Sequence, residues 1–147
     1  MLTSNLSGGI KKSLEKSLKQ VGLKGEQIAI KHLQAQDLGW KPLSAAYKKR
    51  KEKQGHSNKI LIRTGTLMQN IKSEVVSKHE VFVGVNRQAK DAEGNSIADI
   101  ATIMEYGSVA MNIPARPLWK PTHDELLEWI KQENIFLKNV KKDVFNI

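Results

Sequence analysis

The residues best equipped for chemistry are thinly spread. His32, His56, His79 and His123 have no spacing that would bring two imidazoles to one metal ion. His123-Asp124-Glu125 sets three ligand types in a row, but neighbours on a helix point in different directions, and acidic residues are ordinary at a helix N-terminus. Asp91-Ala92-Glu93-Gly94-Asn95 lacks the alternating acidic ligands and closing glutamate of a calcium loop, and reads as a solvated loop. Asp99 and Glu105 fall on opposite sides of one expected helix, a poor arrangement for an acid–base pair. Gly107-Ser108 follows Tyr106, not the strand-and-turn setting of a nucleophilic serine. The chain has no cysteine, so it offers no thiolate ligand, thiol nucleophile or disulfide. No glycine-rich phosphate loop is present either. The expectation is a protein that is not an enzyme, with no catalytic, cofactor-binding or metal residues and no cofactor.

Binding is better supported than catalysis. Of the 147 residues, positions 1–60 hold 13 Lys/Arg against 4 Asp/Glu, while positions 61–147 hold 11 of each, so the whole net charge of +9 lies in the N-terminal part. Its densest run is Lys48, Lys49, Arg50, Lys51 and Lys53, a candidate basic patch for phosphate backbones. Tyr47 is the sole aromatic nearby for stacking on bases, so a solvated helix face is the ordinary alternative. A second segment, Ile113-Pro114-Ala115-Arg116-Pro117-Leu118-Trp119, carries two prolines that bias Ile113 and Arg116 toward extended backbone and exclude a central strand. It reads as a stiff arm delivering Leu118 and Trp119 to a helix, with Arg116 held ready for a carboxylate on another subunit. On that reading Arg116→Ala leaves the monomer folded and impairs assembly.

The elements that must position these groups follow from periodicity. Ile10, Leu14, Leu18 and Val21 predict a helix over 10–21, which Gly22 and Gly25 interrupt; Ile28, Ala29 and Leu33 predict a second. Gly39-Trp40-Lys41-Pro42 breaks the helical region, and Ser44 caps a short helix to about residue 53. A loop at 55–58 leads to Ile60-Leu61-Ile62, and a short helical piece includes Leu67 and Ile71. Strands are expected at 72–77 and 81–86, joined through Ser77–Glu80. A lone hairpin is marginal in water, so Ile60–Ile62 is the natural third strand, with a strand from another chain as the alternative. After a polar stretch at 87–95, Ser96 with Asp99 caps a helix bearing Ile97, Ile100, Ala101 and Met104, and Gly107 stops it. Thr122 with Glu125 suggests a capping box for a last helix that begins near 117–122 and buries Leu126, Trp129, Ile130 and Leu137. Asn139 to Ile147 is expected to fray or to dock on a neighbour.

The length suits one α+β domain: a small antiparallel sheet built on a central hairpin at about 72–86, packed by several helices, with a long N-terminal helical region. No apolar stretch reaches the length of a membrane span, and residues 1–6 lack the pattern of a secretory signal, so no membrane partner is expected.

The motifs also come in a recognisable order. Trp40-x-Pro42-Leu43-Ser44-x-x-Tyr47, Ile60-Leu61-x-x-Thr64-Gly65-x-Leu67-x-x-x-Ile71, Val83-Gly84, Ala101-x-Ile103-Met104-Glu105-Tyr106-Gly107 and Ile-Pro-Ala-Arg-Pro at 113–117 together resemble the phage virion morphogenesis family, which includes the Mu G-like tail-completion proteins. The resemblance covers roughly 40–120, dividing the single domain into a basic helical region (1–39), a family core (40–120) and a C-terminal helix and tail (121–147). Leu118 stands where the family usually carries Phe, and Met104-Glu105 where it has a His-Gln or similar pair. What the resemblance implies is a phage or prophage structural protein for tail completion or head–tail joining. It would assemble in the bacterial host cytoplasm and reside in the neck or tail of the virion. Its implied partners are further copies in a ring-like homo-oligomer and other phage neck or tail proteins. Ile113, Pro114, Arg116, Pro117, Leu118, Trp119, Glu105 and Tyr106 are the candidate subunit-interface residues. The alternative is a nucleic-acid-binding protein using the basic N-terminal half, and a weak DNA contact is compatible with both.

Overall fold

The computed structural model describes residues 2–147, with side-chain surroundings from Leu6 onward; Met1, part of the N-terminal stretch read above, lies outside the described residues. The expected break at Gly22 and Gly25 is absent, and one helix, α1, runs Leu2–Ala35. Each glycine costs a helix about 1 kcal/mol, and its value here is tertiary. A Cβ at Gly22 would stand 2.8 Å from Ser73 Cβ and 2.9 Å from a Val81 methyl, and one at Gly25 would stand 3.0 Å from a Val83 methyl. Bare backbone lets a β-hairpin lie directly on the helix.

That hairpin pairs β1 (Ile71–Ser77) with β2 (Glu80–Val85), antiparallel, in the register Ile71↔Val85 to Ser77↔Glu80. The connection is a two-residue turn, Lys78-His79, in which neither residue has positive φ. Such a turn does not match strand twist, and a bulge at Val76 absorbs the difference. The face bearing Ile71, Ser73, Val75, Val81, Val83 and Val85 lies toward α1, while Phe82 and Val76 face solvent. Glu26 on α1 accepts from Ser73 N and Oγ, both at 2.6 Å, which satisfies an outward-pointing amide of β1.

The third strand expected at Ile60–Ile62 does not form, because side chains have taken over its backbone. Gln36 brackets Ile60, accepting from its N–H (2.7 Å) and donating to its carbonyl (3.1 Å). Lys51 Nζ donates to the carbonyls of Lys59 and Ile62, both at 2.9 Å. Leu61 sits at φ 60°, a left-handed conformation incompatible with a strand. The hairpin is covered by α1 instead.

The remaining elements are α2 (Ala45–Lys53), capped by Ser44 as expected, α3 (Thr66–Gln69), α4 (Ile97–Tyr106), α5 (Trp119–Glu133), α6 (Ile135–Val140) and a single π-helical turn at Lys141–Phe145. Among the described residues, six α-helices around a two-stranded antiparallel sheet make the expected small α+β fold. The core gathers Ala29 and Leu33 of α1, Trp40, Ile71 and Val85 of the hairpin base, Ile97 of α4, and Leu118. A second seam lies along the earlier half of α1, where Ser13 and Ser17 are fully buried. Asn139 donates there to Ser17 Oγ (2.9 Å) and Gln20 Oε1 (2.6 Å), and Lys16 pairs with Asp143 at 3.0 Å. The tail expected to fray or to seek a neighbour is thus docked on its own chain. Among the described residues, no helix is long and apolar enough to cross a membrane.

Candidate functional site

Three of the residue patterns quoted for the resemblance, those at 40–47, 101–107 and 113–117, lie far apart in sequence and meet at one place. Arg116 is its centre. Its backbone N–H donates to Met104 O at 2.6 Å, Nε donates to Lys41 O at 3.0 Å, and a terminal nitrogen approaches Pro42 O at 3.5 Å. Trp40 Nε1 donates to Pro117 O at 2.8 Å, which closes the same junction from the other side. The arm is therefore pinned between the α1–α2 connection and the end of α4. Arg116 is 7% exposed, and burial lowers its affinity for a proton from the usual guanidinium range. The sequence reading has it held ready for a carboxylate on another subunit; in the structure Nε and one terminal nitrogen already face carbonyls of its own chain.

Glu105 performs the second connection. Its carboxylate accepts from the backbone N–H groups of Leu118 (2.6 Å), Trp119 (3.0 Å) and Lys120 (3.2 Å), and so caps α5 from a different helix. The capping box expected from Thr122 and Glu125 does not exist. Thr122 lies inside α5, buried, with Oγ1 donating back to Leu118 O at 2.7 Å, and Glu125 turns toward Lys31 and His32 of α1. Pro121 has no N–H to satisfy, which leaves the three donors that Glu105 takes. In the sequence Glu105 is marked only as one position of a motif; the signal for its role is an α5 start with no capping side chain at Leu118.

Between these two anchors the chain makes a short projecting loop. Gly107, at φ 76°, turns away from α4 so tightly that a Cβ would stand 2.7 Å from Ala115 N and 2.8 Å from Ile113 O. Ser108 and Ile113 then exchange backbone hydrogen bonds (2.8 and 2.9 Å), and Asn112 N closes the turn on Val109 O at 3.1 Å. The loop is rigidly based yet apolar at its surface: Val109 is 101% exposed, Tyr106 80% and Met111 53%. Among the expected interface residues, Tyr106 and Pro117 face solvent, Ile113, Pro114 and Trp119 are half-buried, and Arg116 and Leu118 are buried.

The basic run divides similarly. Lys48, Lys49, Arg50 and Lys53 are exposed on α2, and the Arg50 guanidinium lies 5.0 Å from the Tyr47 ring centre. Lys51 leaves the patch: it is buried, and desolvation by burial, aided by Arg63, holds its ammonium below the usual lysine range. His32 is buried between carboxylates, with Nδ1 2.7 Å from Asp37 and Nε2 3.0 Å from Glu125, the latter misaligned for a hydrogen bond. His123 is exposed beside Asp124. Among the described residues, no group of three or more His, Asp or Glu side chains is placed to hold a metal ion.

No family model matches the chain, and no solved structure matches it. The chain is similar to an uncharacterized protein of the archaeon Methanocaldococcus jannaschii, 36% identical over 111 residues, which covers 76% of this chain and 66% of that protein. The aligned region thus spans just under two thirds of the relative's length.

Proposed function

We propose that this chain is a structural subunit of a phage or prophage virion that acts in tail completion or head–tail joining, by assembling with copies of itself and with neighbouring neck or tail proteins. Its place would be the neck or tail of the particle, and its work would be done by surfaces, without catalysis. One observation carries the reading. The motif residues Trp40, Pro42, Met104, Glu105, Gly107, Arg116 and Pro117 spend their hydrogen-bonding groups and their shape on a single junction, and that junction holds out an uncharged loop with Val109 fully exposed. Solvent-exposed apolar groups on a rigid base are what a protein–protein contact uses. The experiment is electron microscopy of particles made without this polypeptide, paired with mass measurement of the purified protein. Arrested heads or tails and a multimeric protein are expected; normal maturation of virions without it would end the proposal.

A nucleic-acid contact is the second reading, favoured by Lys48, Lys49, Arg50 and Lys53, which have no acidic partner among the described residues. Titration with duplex DNA at two salt concentrations discriminates. Tight binding with a steep salt slope would favour it, and negligible binding at moderate salt would leave the assembly reading alone.

A further inference from the structure

We infer that the loop at 106–112 of one copy seats in the apolar groove between α1 and the hairpin tip of the next, a head-to-tail contact; this deepens the assembly reading and rests on it. The groove has a volume of about 900 Å³; Ile10, Leu14, Leu18 and Leu23 of α1 and Val75 and Val81 of the hairpin give it apolar walls, and three lysines and three glutamates also line it. Leu23 is 56% exposed despite its size. The loop offers the complementary shape, a narrow projection with Tyr106, Val109 and Met111 at its surface and no charge from 106 to 112.

Within one chain the loop and the groove belong to different stretches of α1. The loop springs from the junction beside Trp40 and Leu118, which packs against the Leu33 end of α1. Along α1 from Leu33, the groove's Leu23 lies ten residues or roughly 15 Å away and its Leu14 nineteen residues or roughly 28 Å away. A surface and its complement on different parts of one molecule make a heterologous contact, which propagates until rotation closes it into a ring.

The three exposed side chains of the loop supply on the order of 400 Å² of mostly apolar surface, about half of what each partner buries in a standard interface. A single such contact is weak, so assembly should depend on concentration and gain from closure, where each subunit is held twice. Charge sharpens the expectation. Two copies at +9 repel, the loop carries no charge, and the three lysines and three glutamates that line the groove balance, so added salt should favour association. That is opposite to the salt response of phosphate binding.

The test uses the full chain and two exposed positions, Val109→Asp on the loop and Leu23→Glu in the groove, with circular dichroism to verify the fold of each. Wild-type mass, followed by light scattering across a concentration series, should rise and should not fall at high salt. Each variant alone should stay monomeric, its dissociation constant raised at least about tenfold. Mixed in equal amounts at the top of the concentration series, where one unclosed contact can be populated, they should form dimers and stop there, because each retains one intact face. Variants that assemble like wild type, or a mixture that yields no dimer, would overturn the loop–groove contact while wild-type assembly keeps the broader reading standing. A wild-type protein that stays monomeric at every concentration would overturn both. Since the chain has no cysteine, the double variant Val109→Cys/Leu23→Cys adds a second readout. Mild oxidation should give a ladder of covalent oligomers, and intrachain or no crosslinking would sink the proposal.

Discussion

Replacing Glu105 by alanine tests the junction most directly. The carboxylate serves three N–H donors at the start of α5, and the innermost belongs to Leu118, which is 2% exposed and out of reach of replacement water. A buried donor left unmade costs about 1–3 kcal/mol, loss of a helix cap about 1, and loss of a negative charge at a helix N-terminus about 0.3–1. Lys120 is exposed, and solvent can take over its N–H. Together these place Glu105→Ala at roughly 3 kcal/mol, which for a chain of this length lowers Tm by about 10 °C. Glu105→Gln keeps an oxygen acceptor and loses the charge, so it should cost about 1 kcal/mol. The assay is urea unfolding followed by circular dichroism, with Thr122→Ala as control, since Thr122 bonds only back along α5. A cost below about 0.5 kcal/mol for Glu105→Ala, or an equal cost for Thr122→Ala, would refute the account of how α5 is started.

Three other perturbations follow from the same geometry. Gly22→Ala would stabilise an isolated helix by about 1 kcal/mol, but here the methyl meets Ser73 and Val81 below 3 Å, so the urea midpoint should fall by the equivalent of about 1–3 kcal/mol. Arg116→Ala keeps the backbone bond to Met104 but removes the side-chain bonds to Lys41 O and Pro42 O, so it should lower stability by about 2–4 kcal/mol while the monomer still folds; an unchanged urea midpoint would show that the guanidinium does not brace this junction. For pH, Asp143 is held below its usual 3.8 chiefly by its hydrogen bond to Lys16, and Asp37 below the same value by its hydrogen bond to His32. Both native carboxyls bind protons less readily than unfolded ones, so their contribution is present above about pH 4 and is lost as pH falls through the lowered values. Asp143→Asn should flatten part of that acid loss, and an unchanged acid profile would show that the docked tail does not depend on this pair.

Much of the architecture was legible because it is local. Strand propensity placed the hairpin within a residue or so, Ser44 and Ser96 announced their helices, and Gly107 announced a stop, since capping and turning are matters of a few neighbouring residues. The prolines at 114 and 117 likewise kept the segment between α4 and α5 free of helix. What sequence could not settle was decided by groups that meet across tens of residues. Gly22 and Gly25 read as helix breakers until the hairpin's approach shows why no side chain can stand there. Ile60–Ile62 had the composition of a strand, but Gln36 and Lys51 reached its polar groups first. Arg116 and Lys51 looked like free cations because charge is a property of a residue, whereas burial is a property of its surroundings. The cap of α5 came from Glu105 on another helix, where no local pattern could point to it. Local chemistry therefore chose the elements, and the competition for buried hydrogen bonds chose which side chains were left facing outward.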